Sequence, residues 1–224
     1  MIKRIGLSVV VICAEVALLC TPSFADTFFD LTDGTSAISE FAGPYATVDV
    51  NLTSSTTATI TFTSLTNSGN IYLMGDGGAA AVNVDAPSFT TSYITGSNAG
   101  TGFTPGPFYT SSGTEDGFGN FNLQIDDFDG FGHSVDTLGF TLTNNTGTWA
   151  SSSDVLTPNS FGSFAAGHIF VTNLPARESN VTGVVTGFSA NFADVSTSVP
   201  EPSSLMLLVS GLVALFGKKA LHRA

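Results

Sequence analysis

The densest group of side chains able to do chemistry is Asp126, Asp127 and Asp129, placed just ahead of Gly130. Oxygen-rich loops with a glycine turn can hold Ca²⁺, so these carboxylates form a candidate calcium site. An EF-hand is excluded. With Gly130 at the sixth loop position, Ile125 falls at the first and Asp136 at the twelfth, where that loop needs a carboxylate and a glutamate. The same residues also read as an acidic hairpin loop, because Asp and Gly favour turns. Asp76 and the pair Glu115-Asp116 are weaker candidates of the same kind.

His133 and His168 are the histidines of the chain's middle, and either with a nearby Asp would make a metal pair or an oriented base. No third ligand, cysteine or His-x-x-x-His spacing supports them. Trp149, with Tyr45, Tyr72, Tyr93 and Tyr109, is a candidate platform for stacking on sugar rings, its other reading being a partly buried core or edge residue. Carboxylate pairs suited to a glycoside hydrolase arise by chance in any acidic chain. No Gly-x-Ser-x-Gly elbow, Gly-x-Gly-x-x-Gly turn or P-loop occurs.

The elements that must position these residues read as strands. Val48, Val50 and Leu52 alternate with Asp49 and Asn51, and Ile60 and Phe62 follow in the same way, with Thr53 to Thr57 as the hairpin connection. Phe121, Leu123 and Ile125 alternate with Asn120, Asn122 and Gln124, which places the three apolar residues on one face. Leu138, Phe140 and Leu142 repeat the pattern before a turn at Asn144-Asn145-Thr146-Gly147. Residues 169–173 and 184–188 are further strands. Short strands, frequent turn signals and no amphipathic helix predict an all-β body of β-sandwich or jelly-roll type. Disorder is countered by phenylalanine: of 19 in the chain, only Phe24 and Phe216 lie in the ends, leaving 17 to build a core.

Charge divides the chain into three. Lys and Arg number 6 against 18 Asp and Glu, a net charge of −12. Residues 1–25 carry Lys3, Arg4 and Glu15 (net +1), and residues 199–224 carry Glu201, Lys218, Lys219 and Arg223 (net +2). Removing both ends from −12 leaves −15 for the body, in which Arg177 is the sole basic residue. Phosphate binding needs clustered Lys and Arg, so a nucleic-acid partner is excluded.

The N-terminus has the layout of a secretory signal peptide. Lys3-Arg4 is followed by an apolar run from Ile5 to Leu19, and Ser23 and Ala25 put small residues at −3 and −1 before Asp26. Cleavage is expected between Ala25 and Asp26, after passage through the Sec translocon and by signal peptidase. Leu19 before Cys20 stands where a lipoprotein signal needs a small residue. Cys13 and Cys20 both leave with the signal, so the mature chain has no thiol for a disulfide, a metal or a nucleophile.

The C-terminus runs in strict order: Pro200-Glu201-Pro202, an apolar helix over about residues 203–217, and a basic tail over residues 218–223. About 15 residues span roughly 22 Å as a helix, short of a ~30 Å hydrocarbon core, a gap that snorkelling lysines help to close. The basic tail favours a cytoplasmic end and leaves the body outside the inner membrane.

This layout resembles the PEP-CTERM sorting signal of Gram-negative bacteria. The segments 116–119, 126–131, 147–150 and 168–171 also look like the body of other PEP-CTERM proteins, a likeness that carries no activity with it. The resemblance implies an exosortase as processing partner, with Pro200, Glu201 and Pro202 as its recognition motif, and a cell surface or matrix often rich in exopolysaccharide.

The expected organisation is therefore a signal peptide at 1–25, an acidic β-sandwich domain at 26–198 and a sorting signal at 199–224, the body flanked by a signal helix and a short hydrophobic helix. The chain is expected to be exported, held transiently by its C-terminal helix, and released to the surface or extracellular matrix. The expected role is that of a non-enzymatic structural protein of a biofilm-like matrix, with calcium as the conceivable cofactor and extracellular polysaccharide as a partner. A carbohydrate-binding module and a secreted glycoside hydrolase are the alternatives.

Overall fold

A computed structural model describes residues 25–172, 178–180 and 184–191. The expected signal helix, the C-terminal helix and Pro200-Glu201-Pro202 lie outside the described residues, as does Arg177. Among the described residues, no helix is long and apolar enough to cross a membrane.

In chain order the strands are β1 (Thr27–Leu31), β2 (Asp33–Gly34), β3 (Ala46–Ser54), β4 (Thr57–Ser64), β5 (Thr66–Asn67), β6 (Asn70–Met74) and β7 (Ala80–Val82). They continue with β8 (Phe89–Ser97), β9 (Tyr109–Glu115), β10 (Gly119–Asp126), β11 (Thr137–Asn144), β12 (Ala165–Thr172) and β13 (Val185–Ala190). Two antiparallel sheets result. The first has the order β1-β3-β4-β11-β8, and the second β2-β13-β12-β7-β10-β9, with β6 pairing both β12 and β5. The helical content among the described residues is two 3-10 turns, Phe131–His133 and Ser152–Asp154.

In the first sheet the alternation read from sequence translates directly into burial. Val48, Val50 and Leu52 share a face with Ala58, Ile60 and Phe62 of β4 and with Leu138, Phe140 and Leu142 of β11, and all nine are buried. β3 and β4 close on a tight turn that leaves only Ser55 and Thr56 between them. Asn144 Oδ1 accepts from the amides of Thr146 and Gly147, which fixes the turn after β11. On β1, Leu31 lies against Gly167 of β12, where the two sheets meet.

The second sheet departs from the simple alternation. The β9–β10 register shifts between Phe121 and Gln124, so two β10 residues, Asn122 and Leu123, stand opposite Ser112. This bulge reverses the faces. Leu123 and Ile125 pair with Val82 and Ala80, whereas Phe121 joins Ala81, Phe118, Ala166 and Ala190 in a cluster on the opposite face. Phe121, Leu123 and Ile125 therefore do not share one face, and Gln124, expected to face water, is buried. Apolar residues on both faces explain why this sheet lacks a clean period of two.

Candidate functional site

The strongest concentration of perturbed side chains lies where β6 and β7, both paired to β12, are interrupted by Gly75-Asp76-Gly77-Gly78-Ala79. The loop straddles His168: the Gly75 amide donates to His168 O at 3.2 Å and the His168 amide to Gly78 O at 2.9 Å. Asp76 and Gly78 have φ of 56° and 71°. At Gly78 a Cβ would also run into the Glu115 carboxylate, so the chain needs glycine there on two counts.

Glu115 ends β9 and is 1% exposed. Its Oε1 accepts from Gln124 Nε2 at 2.6 Å. Burial pushes the Glu115 carboxyl up to about 8; the Gln124 bond opposes that rise, while Asp126 and Asp116 add to it. Asp126 ties the neighbourhood together, its Oδ1 accepting from the Gly78 amide at 2.8 Å and its Oδ2 from Ser111 Oγ at 2.6 Å. His168 stacks on Phe188 and Phe170, with ring centroids at 4.5 and 5.3 Å, and bonds through Nε2 to Thr186 Oγ1. Burial lowers its basicity, against an opposite pull from Asp76, whose Oδ2 lies 4.0 Å from Nδ1. At neutral pH both groups are therefore mainly uncharged. The carboxyl is closed off beneath Gly78 and the imidazole is stacked on two rings, so the arrangement locks the loop in place.

The three aspartates expected to hold calcium are used separately. Asp126 serves Gly78 and Ser111. Asp127 is buried, and its Oδ1 accepts from the Gly106 and Phe128 amides at 2.8 and 2.7 Å. Its Oδ2 is buried without a protein partner, and burial raises its carboxyl above the ordinary range. Asp129 is exposed. Asp76 accepts from the Gly130 amide at 2.6 Å and so anchors the turn that the aspartates precede. Among the described residues, no group of three or more His, Cys, Asp or Glu converges in a way that could hold a metal ion. His133 sits apart from His168, its Nδ1 against Thr104 O at 2.6 Å and its ring against Phe128.

Trp149, read from sequence as a sugar platform or as a partly buried core or edge residue, takes a core position. Trp149 is 2% exposed, and its indole N–H donates to Asp85 O at 2.8 Å. A ring enclosed in this way stacks on core atoms and not on a ligand. Tyr45 and Tyr72 are likewise buried, edge to face at 4.9 Å, with their hydroxyls donating to Phe41 O and Ala42 O. Tyr93 and Tyr109 are exposed, on the edge strands β8 and β9. Ala25 and Asp26, the expected cleavage point, immediately precede β1. The pairing of Glu115 with Gln124 went unread in the sequence, because only the bulge brings Gln124 to that face.

Residues 198–220 match the PEP-CTERM protein-sorting motif. No curated protein and no solved structure matches the chain. The motif supports an exported protein that an exosortase processes at the membrane for display at the cell surface.

Proposed function

We propose that the protein is a non-enzymatic structural component of the cell surface or extracellular matrix, its body a β-sandwich of the two antiparallel sheets. The observation that carries this reading is the sorting motif at residues 198–220, joined to a single strand-rich acidic body. Delivery requires the signal peptide at the front, Sec export, cleavage before Asp26 and a C-terminal anchor that the exosortase removes. The body, at −15, stays hydrated and repels its own copies, which suits a polymer-filled exterior. Calcium does not enter the proposal, because among the described residues no group of three or more His, Cys, Asp or Glu converges in a way that could hold a metal ion.

Mass spectrometry of the protein taken from the outside of the cell tests the reading. The chain should begin at Asp26 and lack Lys218 to Ala224. A surface protein with an intact C-terminus, or one retained in the cytoplasm, would overturn it.

A further inference from the structure

The outer face of the first sheet is a grid of hydroxyls. Residues directly opposite in antiparallel pairs share a face, and the registers put Thr59, Thr61 and Thr63 of β4 beside Thr141, Gly139 and Thr137 of β11. β8 extends the same rows with Ser92, Thr95 and Ser97. None of these residues is buried. Among the described residues no protein partner occupies the hydroxyls of Thr59, Thr61, Thr137 or Thr141. The repeat is set by the sheet itself: roughly 4.8 Å between strands and about 6.8 Å along them. At its centre Gly139 leaves a notch. A Cβ placed there would lie 3.6 Å from Thr95 Oγ1 and 3.9 Å from Thr61 Oγ1.

Charge defines what this face can meet. β4, β8 and β11 contain no charged residue; Asp30 and Asp49 of this face stand on β1 and β3, and Asp136, just before β11, accepts from Ser97 Oγ at 3.4 Å at the end of the rows. A polyanion would be repelled by the rest of a −15 body. A protein partner would want a buried aromatic or arginine anchor, and apart from the exposed ring of Tyr93 on the edge strand β8 these rows supply only methyls and hydroxyls. We infer that the face is a contact surface for neutral, polyhydroxylated polysaccharide chains, an inference that rests on the matrix reading for where such a polymer is met. A threonine hydroxyl both donates and accepts, so it matches sugar hydroxyls in any orientation. Each exchange with water gains little, so the contact works through repetition: short sugars bind weakly and long chains bind by many small contacts.

Native gel electrophoresis of the full-length protein through embedded polymer is the test, with dextran and hydroxyethyl cellulose as neutral probes and alginate as the anionic one. The neutral polymers should retard the protein and alginate should not. The triple variant Thr59→Val/Thr61→Val/Thr141→Val keeps shape and strand preference while removing hydroxyls, and should weaken retardation at least about fivefold. Gly139→Gln fills the notch without a backbone clash and should act in the same direction even if the triple variant folds poorly. No retardation by either neutral polymer, equal retardation by alginate, or unchanged retardation of both variants would overturn the contact. Surface location is read separately by fractionation. A surface protein that ignores the polymers defeats only this contact, and a retarded protein found in the cytoplasm defeats the matrix reading.

Discussion

Replacing Glu115 by glutamine should stabilise the protein above neutral pH, by an amount that the fold itself sets. Glu115 is 1% exposed and burial holds its carboxyl at about 8, against an ordinary 4.5. Because the folded chain keeps its proton where the unfolded chain loses it, stability is full below pH 4.5 and is lost as pH rises through about 8. At about 1.4 kcal/mol per pH unit, that slope removes about 3 kcal/mol between pH 5.5 and 8. The substituted amide would keep an acceptor for Gln124 Nε2 and carry no charge, so this slope vanishes in Glu115→Gln. His168 acts with the opposite sign: burial lowers its basicity, so its contribution is present above its ordinary 6.5 and lost as pH falls. That contribution is common to both proteins and cancels in their difference. Urea unfolding followed by Trp149, the chain's single tryptophan, gives the difference at each pH. The variant's advantage should grow by about 3 kcal/mol from pH 5.5 to 9. A difference that stays constant with pH, or a variant less stable than wild type at pH 9, would show that Glu115 is not held neutral by burial.

Trp149→Ala should cost about 3–5 kcal/mol of stability, read from urea midpoints, and leave polysaccharide retardation of the folded fraction unchanged, since the ring is part of the core. Gly78→Ala should cost about 2–3 kcal/mol, from a positive φ and a clash with the Glu115 carboxylate, and Glu115→Ala in the same chain should recover part of that loss. Replacing Pro200, Glu201 and Pro202 with alanine should leave residues 218–224 on the chain, detectable by mass spectrometry, and reduce the amount displayed outside the cell.

The first sheet was legible because it has one wet face and one dry one. There the period of two in Val48-Asp49-Val50-Asn51 or Leu138-Gly139-Phe140-Thr141 is burial written into sequence. The second sheet hid itself for the converse reason. β7 is Ala80-Ala81-Val82, buried on both faces, and β9 is Tyr109-Thr110-Ser111-Ser112, exposed on both, so neither alternates. β1, β6 and β8 also escaped the periodicity. One bulge near Leu123 then decided which residues met Gln124, and the extra residue leaves no mark in composition. The sites suffered from the same limitation. Trp149 and Asp127 are conspicuous by type, yet type cannot distinguish an indole stacked on a ligand from one whose N–H is tied to Asp85 O. The sorting signal needed no folding to be read, since its order along the chain is its content.

Threonine on the outer face has an explanation without a ligand, since it combines strand preference with polarity. Strand preference alone, however, also admits lysine and glutamate at exposed positions of a sheet, and edge strands usually carry charge to discourage pairing. Here the edge strand β8 and its neighbours β11 and β4 are free of charge, although the body holds enough acid to reach −15. The acids gather instead on β1, on β3, in the turns near Gly130 and at Asp136 just before β11, where several tie backbone amides. Segregation of this kind weakens protection against edge pairing, so it needs a compensating use for an uncharged face. Valine separates the two explanations because it matches threonine in shape and in strand preference. If propensity alone placed threonine here, the valine variants would match wild type in every binding measurement; if the hydroxyls are the reason, stability stays and the polymer contact goes.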